Sequence, residues 1–432
     1  MAEDSGAVPS PARFSGRGGG AAPFVVLFLI NVLNFYDRQA LGAVTEPLRH
    51  EFHLSDTQLG AITTSFTALY ALAGLPLGRL ADTWSRKKLL AAGTAIWASL
   101  TGLGGLAGSY AMLLATRLGV GIGEATCAPA ATSWIGDMAA PERRARAMAW
   151  FMAAVPLGGM LSFAVTGPVA QRYGWRAALA LAALPAAALV PALLCLKEPE
   201  RGPGARSQEP GVGALLRRPA FLWIVASGAV VNFALYSFST FLPAFLTRFH
   251  GLSVARAGFW TGVGSGVAGL SGALAAGAFG DRASGHRGRF RLSLAGGAAL
   301  VAAPLAFLAI RMPAGHAAAA VALIMTAYGL LQSYYGLVYA AIQDIVAPAA
   351  RGAAMGTYYM AMYLCGASFG PLATGSLSDH FARAAAGAGP ITEAARALGL
   401  RQAMYVIPAL ALALAAALWA GGRAAGKTRQ TG

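Results

Sequence analysis

Charge is what this sequence has least of. Charged residues fill 12% of its 432 positions, against roughly 25% in an ordinary soluble domain, so the chain cannot present a fully wetted surface. Cysteine is scarce as well. Cys127, Cys195 and Cys365 are too few and too scattered for a disulfide framework or a thiolate metal centre, and each is read as a packing residue. The six histidines fall in loops or at helix ends, which leaves no buried imidazole cluster to bind a metal. No metal and no cofactor is expected. No nucleophile stands at catalytic spacing from a base, so an enzyme is not expected either. The glycines of GVGIGEA, Gly119 to Ala125, lie inside an apolar segment where they pack against neighbours and cannot cradle a phosphate after a strand. Without a nucleotide loop, any work the chain does must draw on ion or substrate gradients.

Apolar residues take up that space, at 56% of all positions. They gather in runs of about 20, each long enough to cross a hydrocarbon core of about 30 Å as a helix. Twelve such spans are predicted, at 24–46, 57–80, 87–108, 110–133, 145–170, 175–196, 220–247, 256–279, 291–311, 317–342, 352–377 and 401–421. The chain thus reads as an all-α membrane protein. The formal charge of +16 invites a nucleic-acid reading, but its distribution argues otherwise. With both termini cytoplasmic, 22 of the 33 Lys and Arg fall in the tails and even-numbered loops, and nine in the odd-numbered loops. That is the positive-inside bias, which predicts a multi-pass protein of the cell (inner) membrane facing the anionic leaflet, without nucleic acid as a partner. Residues 1–23 read as a flexible cytoplasmic tail rather than a cleavable signal peptide, because the apolar segment after them has full spanning length. Residues 422–432 form a second tail.

Four charges stand where lipid tolerates them least. Asp37 and Arg38 lie in span 1, Arg117 and Glu124 in span 4, and each would cost roughly 2.5 to 3.5 kcal/mol if left uncompensated at the centre of a membrane helix. They must pair or face water. Asp37 lies about 20 Å along its helix from the predicted start, close to the midplane. Glu124 reaches a similar depth from the other side. Arg117 and Glu124 are seven apart and share a face, which points both into a cavity between two halves, whereas Asp37 and Arg38 are about 100° apart and must diverge.

Two halves are visible. Lys197 to Arg218 is rich in Pro, Gly and charge, and reads as a cytoplasmic linker, 197–219, between bundles at 24–196 and 220–421. Local features recur across it in order. Asp82 matches Asp281, Pro141 and Arg144 match Pro348 and Arg351, and Gly167-Pro168 matches Gly370-Pro371. Two pseudo-symmetric six-helix bundles are the signature of a secondary transporter with a midplane site exposed alternately to each side.

The segment GRLADTWSRKKLL, Gly78 to Leu90, resembles the signature loop of the major facilitator superfamily. That resemblance implies the superfamily's twelve-helix fold and a latch in which the acid pairs with an arginine and a helix N-terminus of the other half. The matching residues are Asp82 and Arg86, with Ser85 where many members have glycine. Asp281 with Arg282 forms a degenerate second copy, and Arg144 and Arg351 complete the expected gating set. Within the superfamily, NFYDR in span 1, RLGVGIGEA in span 4, PERRARAM, GWR and LPAFLTRFHGLS are similar to the Spinster subfamily. Spinster-like proteins move lysophospholipids or sphingosine phosphates in animals. The resemblance implies that Asp37, Arg38 and Glu124 are functional.

The four buried charges sum to zero when both carboxylates are ionised, so protonating one frees an arginine. This is the logic of a proton-coupled switch for an anion, with Asp37, Arg38, Arg117 and Glu124 as the substrate and coupling site. The competing reading is a static ion-pair network joining spans 1 and 4. The second half offers polar and aromatic groups instead: Asn232, Tyr236, Gln332, Tyr335 and Tyr359 are expected to line the cavity with Asn34, alongside Tyr334, Tyr339 and Tyr363. A charged wall facing an aromatic one suits an amphipathic organic anion such as a lysolipid, carried with protons by a monomer. A symporter or exporter of a small organic anion or drug, and more remotely a sensor that binds without transport, stay open.

Overall fold

A computed structural model of the chain describes residues 21–200, 215–280, 287–346 and 351–427. Asp281, Arg282 and Pro348 lie outside them. Among the described residues every regular element is a helix. In the first half these are α1 Ala21–Ala43, α2 Thr45–Phe52, α3 Asp56–Thr83, α4 Arg86–Gly104, α5 Tyr110–Glu124, α6 Cys127–Met138, α7 Pro141–Met152 and α8 Ala154–Cys195. In the second half they are α9 Pro219–Arg248, α10 Val254–Gly280, α11 Arg287–Arg311, α12 Ala317–Ile345, α13 Arg351–Ala361, α14 Phe369–Ala386, α15 Glu393–Met404 and α16 Val406–Lys427.

Eight stretches are long and apolar enough to cross a membrane, yet the fold makes twelve crossings. Gly174 accounts for one extra, because its φ of 85° and ψ of 158° are open essentially to glycine alone and divide α8 into two crossings. Local chemistry disguises three more. α4 opens on Arg86, Lys87 and Lys88, which dilute its hydropathy. The fourth crossing is split between α5 and α6, where Pro129 has no amide proton to offer the carbonyl four residues back at Ala125. The eleventh is divided by a π-helical turn over Met362–Ala367, just ahead of Pro371. Short loops end in side-chain caps: Ser55 and Gln58 form a reciprocal capping box at α3, and Ser85, Ser109 and Thr392 accept from the first-turn amides of α4, α5 and α15.

Two helices exceed their predicted spans, with consequences for the site. The eleventh crossing runs on to Ala386 instead of stopping at 377, carrying Asp379 into buried surroundings. The twelfth begins at Glu393 because the polar α15 packs along α14 ahead of the apolar run.

The halves meet through α8 against α10 and α3 against α14. Both contacts lie toward the end of the bundle opposite the termini. A Cβ at Gly60 would overlap the carbonyl of Pro371, and one at Gly262 would come within 2.6 Å of the carbonyl of Met160; glycine is what allows the backbones so close. At the termini end none of the described glycines has a neighbour in the other half, and a Cβ at Gly74, Gly78, Gly136, Gly277 or Gly356 would meet nothing within 4 Å. The halves are therefore joined at the far end and splayed at the termini end. Gly60→Val cannot fit the joined arrangement without a shift costing roughly 1–3 kcal/mol, so a cysteine at Thr63 in that background should react faster with a membrane-impermeant maleimide added from the far side. An unchanged rate would show that the α3–α14 contact does not control the closure.

Candidate functional site

α1 delivers Asn34, Asp37 and Arg38 to the middle of the first half. Asp37 and Arg38 diverge as adjacent helical residues must. Asp37 Oδ2 accepts from Arg117 Nη1 at 3.3 Å and from Thr101 Oγ1 at 2.9 Å. Arg38 turns the other way, donating from Nη2 to Glu124 Oε2 at 3.1 Å and to Asn34 Oδ1 at 3.2 Å. All four charged side chains are 2% exposed or less. α5 holds both partners on one face, and Glu124 is its last residue, set there by the break ahead of Pro129.

The pairing corrects one detail of the sequence reading. Arg117 and Glu124 do share a face, but α1 lies on that face, so Arg117 is locked inside the first half against Asp37 and Thr101 instead of pointing into the gap. Only the Arg38–Glu124 pair adjoins the second half. Phe35, Phe66 and Tyr70 surround the Arg38 guanidinium at 4.6, 5.4 and 4.4 Å from their ring centroids. The bonding is incomplete. Arg38 Nη1, Asn34 Nδ2, Arg117 Nε and Nη2, Asp37 Oδ1 and Glu124 Oε1 are all buried without a hydrogen-bond partner. Buried orphans of this kind are costly and are normally answered by a water or ligand.

The second half presents tyrosines. Tyr363 lies 5.3 Å from Tyr70 and 6.3 Å from Tyr236, between ring centroids. Tyr335 donates to Asn232 Oδ1 at 3.2 Å and neighbours Tyr339, which stands edge-on to Tyr359 at 5.7 Å. Tyr334 is buried in a hydroxyl chain with Ser227 and Tyr358. Gln332 donates to Tyr328 one turn earlier on its own helix, and no bond joins it to the Arg38 group.

The far end is sealed by charges that the sequence reading gave no role, although Arg248 lies within LPAFLTRFHGLS. Arg248, from the second half, donates to both carboxylate oxygens of Asp56 at 2.8 Å and to Glu46 at 2.6 Å. Arg49 answers from the first half, reaching Glu393 at 2.7 Å. Asp379 accepts from the α3 amides of Asp56 at 3.0 Å and Thr57 at 2.8 Å, and from the Thr57 hydroxyl at 2.6 Å. Its position at a helix N-terminus suits its charge.

At the termini end the expected gating residues stand apart. Asp82 is exposed and pairs with none of the described residues. Arg86, fully buried, binds Asp137 and, at 3.0 Å, Glu198 of its own half. Burial alone would push the Glu198 carboxyl up, but hydrogen bonds from Ser85, Arg86 and the Lys87 amide outweigh it and hold this group below the usual carboxylate range. Arg144 is exposed, and Arg351 donates to the carbonyl of Gln343 at 2.6 Å. Among the described residues, then, none of these groups bonds across to the other half, and Arg86 is engaged inside the first bundle.

Residues 27–371 match the family described as Major Facilitator Superfamily. The chain belongs to that superfamily. Two six-helix bundles joined at one end and a site built around the first and fourth crossings fit the assignment. A Mycolicibacterium smegmatis protein named as an MFS-type efflux pump is 33% identical over 366 residues, 82% of this chain and 83% of its own. Protein spinster homolog 1 of Xenopus tropicalis is 29% identical over 52% of this chain, a match spanning 45% of that protein. A bacterial homologue of the human lysosomal transporter Spinster, solved in an inward-facing, unoccupied conformation, superposes with a TM-score of 0.82 at 26% identity, covering 94% of this chain and 97% of that one. This superfamily member is accordingly a multi-pass membrane transporter, similar to Spinster proteins, and not an enzyme.

Sequence reasoning missed Tyr70, Phe66, Phe35 and Thr101, and the whole far-end network. Aromatic and hydroxyl residues are ordinary in membrane helices, so nothing local marked Tyr70, Phe66 or Thr101, and Phe35 stood in NFYDR without a role of its own. The network's members sit at helix ends, where charge is unremarkable until the fold brings Arg248 to Asp56.

Proposed function

We propose that this protein couples proton movement to the transport of an amphipathic organic anion, such as a lysophospholipid, across the cell membrane with both termini on the cytoplasmic side. The observation that carries this reading is the Arg38–Glu124 pair, buried, incompletely bonded and facing a wall of tyrosines. Protonation of Glu124 frees the Arg38 guanidinium, which with the unpartnered Asn34 amide offers donors to a phosphate or carboxylate. Asp37, fixed by Arg117 and Thr101, keeps the second arginine neutralised while the first changes partner. Tyr335, Tyr339 and Tyr359 give an apolar tail a surface with few hydrogen-bond demands. The inward-facing relative supports cytoplasmic orientation of the splayed end. A second reading, export of a small organic anion or drug, is favoured by the efflux-pump relative.

Purified protein in sealed liposomes separates the two. With an imposed pH gradient, lysophospholipid flux should exceed carboxylate flux, and Asp37→Asn should abolish the gradient-stimulated part. Carboxylate flux alone would establish the second reading, and binding of either probe without flux would point to a sensor.

A further inference from the structure

Arg38 reaches the second half through rings. Its guanidinium lies 4.4 Å from the Tyr70 centroid, and Tyr70 lies 5.3 Å from Tyr363, so a continuous aromatic contact crosses between the halves at the depth of the charge cluster. Tyr363 is aimed there by the π-helical turn: the Ser368 amide donates to the Tyr363 carbonyl, five residues back, at 2.9 Å, and the Ser368 hydroxyl adds a second bond at 3.0 Å. The extra residue in such a turn rotates the rest of the helix by about 100° relative to an unbroken α-helix, and π turns persist where re-aiming a side chain offsets their poorer hydrogen bonding.

We propose that Tyr70 and Tyr363 are positioning residues that transmit the state of the Arg38–Glu124 pair to the movement of one half against the other. This role rests on the proton-coupled reading above. While Glu124 is ionised, it neutralises the guanidinium and the rings hold it weakly. Once the carboxyl is protonated, the bare cation is left to the π faces of Phe35, Phe66 and Tyr70, whose pull on a desolvated guanidinium is then greatest. Tyr70 follows Arg38, and Tyr363, pressed against it, carries the displacement into the second half. The groups facing the pair are Asp37 on α1, Arg117 beside Glu124 on α5, Cys127 on α6, Tyr236 on α9 and the two tyrosines themselves. Asp37 and Glu124 are the only carboxylic acids among them.

The test needs no substrate. Spin labels at Gly136→Cys and Gly356→Cys, one per half in open space at the termini end, report the separation of the halves in full-length protein with Cys127, Cys195 and Cys365 replaced by Ser. Inter-label distances are recorded in nanodiscs from pH 5 to pH 8. The parent should show a pH-driven change in population. Tyr70→Leu should move its midpoint to lower pH by about one unit, the scale of one desolvated cation–π contact; Tyr363→Leu, which removes no contact with the guanidinium, should shrink the amplitude of the change, and Tyr363→Phe should restore it. An unchanged midpoint and amplitude in both leucine variants overturns the relay and leaves the proton-coupled reading standing. Tyr363→Phe behaving like Tyr363→Leu overturns the ring contact as the coupling element. A parent without any pH response overturns the proton-coupled reading and the relay with it.

Discussion

Glu124→Gln should leave a folded transporter whose flux no longer responds to a pH gradient. The substitution keeps the size and the acceptor of the side chain but removes its proton exchange, so Arg38 is permanently in the state that protonation produces. Breaking a buried pair by neutralising one partner costs about 3–5 kcal/mol, which is a change of more than a hundredfold in whichever equilibrium the pair controls. The expected result is therefore flat pH dependence between pH 5 and pH 8, with gradient-stimulated flux falling to the level seen without a gradient. Lysophospholipid flux in liposomes measures this directly. A variant that kept the parental pH profile would show that the Arg38–Glu124 pair, 3.1 Å apart and buried, is a structural brace and that coupling resides elsewhere.

Removing Arg248 should have an effect of the same size in the opposite part of the molecule. Its guanidinium, 3% exposed, bridges Asp56 at 2.8 Å and Glu46 at 2.6 Å, and these carboxylates belong to the other half. Arg248→Leu leaves Asp56 with the Ser378 hydroxyl and Glu46 with Arg49, but strips both of their cross-half ion pair with Arg248. At about 3–5 kcal/mol for a broken buried pair, the far-end-closed arrangement should lose its dominance. Spin labels at His53→Cys and Ala388→Cys should report a longer distance, and Arg248→Lys, a point charge without the two-pronged fit, should fall between. An unchanged distance distribution would mean that glycine packing at α3–α14 closes the far end without help from charge.

The architecture was legible because lipid imposes simple rules. A run of about 20 apolar residues must span, and it must be helical to satisfy its own backbone; the composition alone therefore announced the class. The buried quartet was legible for the same reason, since Asp37, Arg38, Arg117 and Glu124 stand out in apolar company. Their pairing was not. Sequence spacing put Arg117 and Glu124 on one face of α5 but said nothing of what lies opposite, and the structure places α1 there, enclosing Arg117 and leaving Arg38 beside the second half. Neither Pro129 nor Pro371 was read as a break, and only the fold shows that the fourth crossing divides after α5 at Glu124 and that a π-helical turn ahead of Pro371 aims Tyr363 at Tyr70.

Charges at helix ends gave no signal because water and headgroups tolerate them equally well. Glu46, Asp56, Arg248, Asp379 and Glu393 became a seal only when α3 and α14 came together over Gly60 and Gly375. What the sequence by itself determined is therefore what desolvation dictates residue by residue: twelve spans and a costly buried cluster. Which charges meet, which end of the bundle closes and which ring touches which guanidinium was decided by helix packing, because these depend on distances between segments that local spacing does not encode.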